Sequence, residues 1–205
     1  KMLDEAGWPE CQISVSNSLD ERLIQNLFLQ GAQIDMFGVG ERMITAKSEP
    51  VFGGVYKLTA VENEKGEIIP KIKCSENVEK ITIPHFKKVY RLYNRDNGKA
   101  IADYMTVHDE VVDENEPLML FDPYATWKTK NVCNFEAREL LVPVFLNGKK
   151  VYQSPALKDI QTYCKQQVNT LWDEIKRFDN PQTYYVDLSQ KLWDIQQELL
   201  RKNRN

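Results

Sequence analysis

Histidine and cysteine, the usual ligands of structural zinc, are scarce in this 205-residue sequence, which has two histidines and four cysteines. The cysteines are scattered along the chain at Cys11, Cys74, Cys133 and Cys164. They form no C-x-x-C pair, and neither His85 nor His108 lies at ligand spacing from a cysteine, so the sequence does not predict a structural zinc site. Without cysteine clustering or a signal peptide, we expect a reducing, cytoplasmic location and cysteine side chains buried as apolar groups.

The sequence also lacks a long apolar run and an excess of positive charge. Its longest apolar stretches, such as LLVPVFL at 140–146, are far shorter than the roughly 18 residues that cross a bilayer. Lys and Arg number 27 against 30 Asp and Glu, a balance that offers no basic surface to a phosphate backbone. We therefore expect neither a membrane nor a nucleic-acid partner. With 42% hydrophobic and 28% charged residues, the composition is typical of a globular protein of one large or two small domains.

The first 48 residues alternate between strand and helix signals. These signals are a strand at 12–16, a helix capped by Ser18 with Glu21 and closed by Gly31, a strand at 33–37, and a short helix at 41–46. A β-α-β-α unit of this kind requires parallel strands and a right-handed crossover. The opening residues resemble the end of a helix stopped by Gly7 and Pro9, so we expect the chain to start within a fold.

In such units the site lies at the carboxyl ends of the parallel strands. This rule places five residues on one rim, namely Ser16, Asn17, Gly38, Val39 and Gly40. The glycines let the backbone approach a ligand closely, and a following helix presents unpaired N–H groups, so a phosphate is the expected ligand. The alternative is that Gly38 and Gly40 only make a tight turn and that Ser16 and Asn17 only enter a helix.

From Pro50 onward the sequence predicts strands joined by hairpin turns. The turns are Lys65-Gly66, Asp96-Asn97-Gly98 and Asn147-Gly148, and Asn-Gly is the strongest short hairpin signal. Pro143 indicates that 140–146 is an edge strand or begins at a bulge. We therefore expect a boundary that separates residues 1–48 from a mostly antiparallel α+β module over 49–205.

Two helices are predicted at the carboxyl end of that module. Ser154-Pro155 starts the first, and Asp187 with Gln190 caps the second, which ends in the basic residues of 201–204. We expect the apolar stripes of both helices to pack in the core. They comprise Leu157, Ile160, Cys164, Val168, Leu171, Trp172 and Ile175 in the first, and Leu188, Leu192, Ile195 and Leu199 in the second.

Two charged motifs are interpreted as structural rather than functional. His108-Asp109-Glu110 is a candidate for acid–base chemistry, but such a sequence is more often a solvated loop. Lys87-Lys88 and Lys149-Lys150 are interpreted as solvated charges that discourage edge pairing.

Strings along the whole chain resemble the carboxyl half of nicotinate phosphoribosyltransferase. In chain order they are SNSLDE at 16–21, GAQIDMFGVGE at 31–41, PVFGGVYKL at 50–58, KKVYRLYN at 87–94, GKAIADYM at 98–105, RELLVPVFLNGK at 138–149 and VDLSQKLWD at 186–194. The resemblance implies an α/β plus α+β fold. Residues 1–48 would be the last βα units of a type II phosphoribosyltransferase α/β barrel, followed by an antiparallel β module and two C-terminal helices.

The same resemblance implies an activity and its partners. The enzymes of this family join nicotinate to phosphoribosyl pyrophosphate, giving nicotinate mononucleotide and pyrophosphate in NAD salvage, with ATP hydrolysis and Mg²⁺. It also implies a homodimer. The histidine that ATP phosphorylates and the groups that hold nicotinate belong to the family's amino-terminal half. We therefore assign no catalytic residue and no metal ligand to this chain, and expect it to be inactive without that half.

One residue departs from the family pattern, and two other functions remain open. The resemblance implies Thr after the second glycine, whereas Glu41 here places a carboxylate that competes with a bound phosphate. A sister enzyme acting on nicotinamide or quinolinate is one alternative. The other is an inactive structural or dimerisation module, whose apolar faces at 13–15, 19–28 and 34–37 would be exposed.

Overall fold

The computed structural model describes residues 2–51 and 53–203, without the side chain of Glu79. The chain divides into two compact units, with the division between Val55 and Tyr56. The sequence predicts this boundary a few residues earlier, between 48 and 49. Phe52, within one of the resembling strings, and Arg204, within the predicted basic helix end, lie outside the described residues.

The first unit contains a parallel pair of strands joined through a helix. Its elements are α1 (Met2–Glu5), β1 (Ser14–Ser16), α2 (Glu21–Leu29), β2 (Met36–Gly38) and α3 (Glu41–Ile44). β1 and β2 run parallel, with Ser14 opposite Met36 and Ser16 opposite Gly38. The predicted β-α-β-α order is therefore present, and its sheet has two strands among the described residues. The closed barrel that the resemblance implies stays a prediction.

The strands and the last helix of this unit are shorter than the sequence predicts. The backbone N–H of Ile13 donates to the Asp35 side chain at 2.7 Å, and its carbonyl accepts from the N–H groups of Asp35 and Met36. The paired strands begin at Ser14 and Met36. Ala46 has a φ of +46°, which is outside the helical region, and α3 accordingly ends at Ile44 rather than at residue 46.

The second unit is mostly antiparallel. Its strands are β3 (Ala60–Glu62), β4 (Ile68–Pro70), β5 (Lys87–Asn94), β6 (Ala100–Val107), β7 (Leu118–Phe121), β8 (Thr129–Val132), β9 (Phe135–Glu139), β10 (Phe145–Leu146), β11 (Lys149–Lys150) and β12 (Val186–Leu188). Its helices are a 3-10 turn (Val78–Lys80), α4 (Leu157–Thr170) and α5 (Gln190–Lys202). The three predicted hairpins are β3–β4, β5–β6 and β10–β11. Their turns contain Gly66, Gly98 and Gly148, all with positive φ.

A four-stranded sheet in the order β12-β6-β5-β9 carries the core of this unit. One buried cluster, on the side of the sheet that faces β7 and β8, comprises Tyr90, Leu92, Ala102, Tyr104, Leu120, Val132 and Phe135. A second cluster joins Val107, Leu188 and Leu192, where α5 packs on β6. The sequence does not predict β12, which pairs parallel with β6. Its three residues are too short to show a period.

The start of α5 also differs from the prediction. The N-cap is Ser189, whose side chain accepts from the N–H of Leu192 at 3.2 Å. Its hydroxyl donates to Glu110 at 2.7 Å, and Glu110 also accepts from the N–H of Val107. Asp187 does not cap the helix, because it belongs to β12. Glu110 is therefore a structural residue that links β6 to α5.

The prediction that the α4 stripe packs in the core is wrong. Leu157 is 72% exposed, Ile160 and Val168 are also exposed, and α4 ends at Thr170, before the last three residues of the stripe. Polar contacts hold this region to the sheet instead. Lys99 Nζ donates to the carbonyls of Asn169 and Leu171, and Trp172 Nε1 donates to that of Ala100.

Two further expectations about burial are wrong. All four cysteines are exposed rather than buried. Lys87 is not a solvated edge charge, since its Nζ donates to the carbonyls of Ile83, Pro84 and His85 at 2.7 to 3.3 Å. Burial lowers the pKa of Lys87 accordingly. No helix in 2–51 or 53–203 is long and apolar enough to cross a membrane.

Substitution of Leu192 tests the core assignment. Leu192 is fully buried against Val107 and Leu188, so Leu192→Ala should lower the free energy of unfolding by about 2 to 5 kcal/mol. The matched control is Leu157→Ala on α4, where the exposed side chain should contribute less than about 0.5 kcal/mol. Urea unfolding followed by circular dichroism measures both. Equal losses in the two variants would contradict this division between core and surface.

Candidate functional site

Four of the five predicted rim residues line one cavity in the first unit. The parallel register places Ser16 opposite Gly38, where both strands end. The cavity has a volume of about 310 Å³ and is lined by Ser16, Asn17, Ser18, Leu19, Gly38, Gly40, Glu41, Arg42 and Lys47. Val39 is not among the lining residues. The order of the strands therefore brings together residues that are about twenty positions apart in the sequence.

The backbone after β1 turns sharply at the edge of this cavity. Asn17 and Ser18 both have positive φ, of 98° and 49°, a conformation that Asn tolerates better than most residues. The Ser16 hydroxyl donates to the carbonyl of Gly38 at 3.2 Å. This hydrogen bond ties the ends of the two strands together. In this arrangement the proton of Ser16 points to the protein rather than to a ligand.

The two glycines of the Gly38-Val39-Gly40 turn are needed for different reasons. A Cβ added to Gly38 would lie 3.0 Å from Ser16 Oγ, so Gly38 allows the close approach of the two strand ends. A Cβ added to Gly40 would meet nothing within 4 Å. Gly40 has a φ of −110°, so a left-handed conformation does not explain this glycine. The open space beside Gly40 is part of the cavity.

Helix α2, which follows the turn at Asn17 and Ser18, begins later than the sequence predicts. The N-cap of α2 is Asp20, whose carboxylate accepts from the N–H of Leu23 at 2.9 Å. Ser18 does not cap the helix, because its left-handed backbone places it in the preceding turn. The predicted closure at Gly31 is present, with a φ of +80°. The predicted Ser18–Glu21 capping box is therefore wrong.

Two basic side chains at the cavity were not identified from the sequence. Arg42 Nη1 lies 2.6 Å from Asp20 Oδ2, and Lys47 lines the same cavity. The hydrogen bond from Leu23, and then the charge of Arg42, hold the pKa of Asp20 below its ordinary value. The signal that would have revealed them is a basic residue within or just after the helix that follows the glycine turn.

The cavity lining carries two cations and one anion, and one of the cations, Arg42, is paired with Asp20. Arg42 and Lys47 are positive, and Glu41 is the negative residue that the sequence indicates as a competitor. Positive charge together with exposed backbone N–H groups at a glycine turn can hold a phosphate. Within 2–51 and 53–203 no group of three or more His, Cys, Asp or Glu side chains could hold a metal ion. The Mg²⁺ implied by the resemblance stays a prediction.

The histidines lie in the second unit and are not part of this cavity. The rings of His85 and His108 stack with centroids 5.8 Å apart. Asp109, next to His108, is paired with Lys191 at 2.8 Å. With Glu110 hydrogen-bonded to Ser189, both carboxylates of the His108-Asp109-Glu110 motif have structural partners.

Comparison with known proteins identifies the family. A sequence profile described as the nicotinate phosphoribosyltransferase C-terminal domain matches residues 86–196, just over half of the 205-residue chain. The chain belongs to this family. A nicotinate phosphoribosyltransferase of Bacillus subtilis is 45% identical over 193 residues, which cover 94% of this chain and 39% of that protein. One of Caenorhabditis elegans is 33% identical, over 93% of this chain and 33% of that protein.

A solved structure supports the fold. The crystal structure of human nicotinic acid phosphoribosyltransferase superposes with a TM-score of 0.69 at 22% identity, over 97% of this chain and 36% of that one. The resemblance noted from the sequence strings is therefore confirmed. The chain spans about two fifths or less of the length of these relatives.

Substitution of Asp20 and Ser18 tests directly which of the two residues caps α2. Asp20→Ala removes the acceptor for Leu23 and the partner of Arg42, so it should destabilise the first unit and increase amide exchange in the first turn of α2. Ser18→Ala, which removes only the predicted cap, should leave both unchanged. Hydrogen exchange measured by mass spectrometry compares them. Faster exchange in Ser18→Ala than in Asp20→Ala would show that the assigned cap is wrong.

Proposed function

We propose that this chain is the carboxyl-terminal part of an enzyme that joins nicotinate to phosphoribosyl pyrophosphate in NAD salvage. The products would be nicotinate mononucleotide and pyrophosphate. The observation that carries the proposal is the cavity at the ends of β1 and β2, which combines a glycine turn with two cations in a member of this family. Phosphate is the group that the substrate and the mononucleotide product share.

The proposed role of the cavity is to hold the 5-phosphate of the ribose. The backbone at Gly40 is open to a close approach, and Asn17 lies on the opposite strand end. Arg42, oriented by Asp20, and Lys47 would supply the positive charge that a phosphate dianion needs. Anchoring the phosphate fixes the ribose, so that its anomeric carbon is held in place for the base.

We assign no part of the chemical step to residues of this chain. Departure of pyrophosphate leaves positive charge on the ribose carbon, and Mg²⁺ would neutralise the leaving group. We propose that the phosphorylated histidine, the use of ATP and the nicotinate site reside in an amino-terminal part of the protein. On this proposal the 205-residue chain positions one end of the substrate and is inactive alone.

A structural or dimerisation role is the second candidate, and the surface of the first unit favours it. Large apolar side chains there are exposed, namely Ile13, Leu23, Phe28, Leu29, Met36, Met43 and Ile44. Exposed apolar groups in this number usually mark an interface. They suit contact with the remainder of the enzyme or with a second copy, so this role is compatible with the enzymatic one.

Substitution of Gly40 tests the phosphate site. Gly40→Val places a side chain in the cavity without meeting protein atoms near the Cβ, so it should weaken binding of phosphoribosyl pyrophosphate at least about tenfold, with little change in stability. Gly54→Val is the matched control, since a Cβ there also meets nothing within 4 Å and Gly54 does not line the cavity. Calorimetric titration of the protein at its natural length measures both affinities.

Asn17→Ala should have a milder effect, a loss of roughly 1.5 to 3 kcal/mol if its amide donates to a charged phosphate. Parent-like affinity in both Gly40→Val and Asn17→Ala would show that the glycine turn is only a turn. Loss of affinity in Gly54→Val as well would show that the effect is not specific to the cavity.

Assays with three bases separate the proposed enzyme from its sister enzymes. The protein at its natural length, supplied with phosphoribosyl pyrophosphate, Mg²⁺ and ATP, should consume nicotinate in preference to nicotinamide or quinolinate. Chromatography of the mononucleotide products gives the ratio of the three rates. Preference for either of the other bases would overturn the proposed substrate while leaving the phosphate site intact.

A further inference from the structure

A second cavity lies in the second unit, between the edge of the four-stranded sheet and the β7–β8 hairpin. It is called the β12 cavity here and has a volume of about 210 Å³. Its lining includes the apolar residues Ile101, Ala102, Leu120, Phe121 and Tyr185. Pockets for drug-sized ligands run from roughly 300 to 1,000 Å³. The β12 cavity is therefore suited to a molecule with about one ring.

A buried carboxylate lines this cavity. Asp187 is 5% exposed, and its Oδ1 accepts no hydrogen bond from any residue that the structure describes. Asp187 stands opposite Tyr104 in the β12–β6 register, so both side chains point to the face that packs on Leu120. A buried acceptor without a donor is costly. A ligand that donates a hydrogen bond would remove this cost.

The other ionisable groups around Asp187 bear on which ligand charge the cavity prefers. Asp122, after β7, lines the same cavity and raises the pKa of Asp187 together with burial, which is the larger cause, to about 6. The phenol of Tyr104 is held neutral by burial. Lys130 of β8 and Lys128, just before β8, line the cavity too, but both are exposed. The negatively charged groups that line the cavity are therefore two carboxylates, Asp122 and Asp187.

We propose that the β12 cavity binds a small organic cation, with its ammonium group donating to Asp187 and its apolar body against Leu120, Phe121 and Tyr185. An organic cation fits better than a metal ion, because Ca²⁺ takes six to eight oxygen ligands and the lining is mostly apolar. The proposal does not depend on the phosphate cavity or on the reaction proposed above.

Titration with three one-ring probes tests the charge preference. Benzylammonium, benzyl alcohol and benzoate have similar apolar bodies and differ in charge. At pH 7.5, where Asp187 is ionised, benzylammonium should bind at least about tenfold more tightly than benzyl alcohol, and benzoate should bind least. Chemical shift changes of Ile101 and Leu120 in the protein at its natural length locate the probe. Equal affinity for benzylammonium and benzyl alcohol, or no shift changes at about 10 mM benzylammonium, would overturn the proposal.

The pH dependence and two variants assign the effect to Asp187. As the pH falls from 7.5 to 5, Asp187 takes up a proton and loses its charge while the probe amine stays protonated, so the preference for benzylammonium should fall to less than about twofold. Asp187→Asn keeps the shape and should lose the preference at pH 7.5. Asp109→Asn, which changes an exposed carboxylate outside the cavity, should keep it.

If Asp187→Asn folds poorly, the parent protein and a further variant still test the proposal. The parent protein alone decides the charge and pH dependence, and Asp122→Asn, which removes the outer carboxylate, should reduce the preference in part. Loss of the preference in Asp109→Asn, or its retention in both Asp187→Asn and the parent at pH 5, would contradict the assignment to Asp187.

Discussion

Strand β6 is hydrogen-bonded along both edges, antiparallel to β5 and parallel to β12, and most of the second unit depends on this double pairing. Its register places Arg91 opposite Asp103, where two hydrogen bonds of 2.8 and 3.0 Å join them, and Tyr184 donates to the same carboxylate. The carboxylate of Asp103 raises the pKa of Arg91 by accepting its hydrogen bonds. Because side chains alternate between the two faces along β6, Ala102, next to Asp103, lies in the core.

The first unit depends on a strand pairing of a different kind. Parallel pairing of β1 with β2 sets the two strand ends side by side, and the Ser16–Gly38 hydrogen bond joins them there. Among the residues of this unit that the structure describes, Leu19 is the hydrophobic residue that is buried. Polar contacts, above all those of Asp20 with Leu23 and Arg42, therefore order the rim of the cavity in place of a large apolar core.

Local signals in the sequence were sufficient for the turns and for most of the candidate site. The turns that contain Gly31, Gly66 and Gly148 were predicted because each needs positive φ, a property of the residue itself. Ser16, Asn17, Gly38 and Gly40 were placed on one rim because parallel strands bring their carboxyl ends together. The caps at Asp20 and Ser189 were missed, since the predicted caps Ser18 and Asp187, two residues earlier, have the spacing of a capping box with Glu21 and Gln190.

The sequence by itself determined the family, the order of strands and helices in the first unit, and which residues follow the ends of β1 and β2, because these follow from residue type and short-range pattern. Only the tertiary structure decided burial. The α4 stripe looks like a core face but is exposed, whereas Lys87, expected to be a solvated charge, is partly buried, and Asp187, expected to be a helix cap, is buried in β12. The physical reason is that burial depends on what packs against a face, and the pairing of β12 with β6 joins residues far apart in the chain.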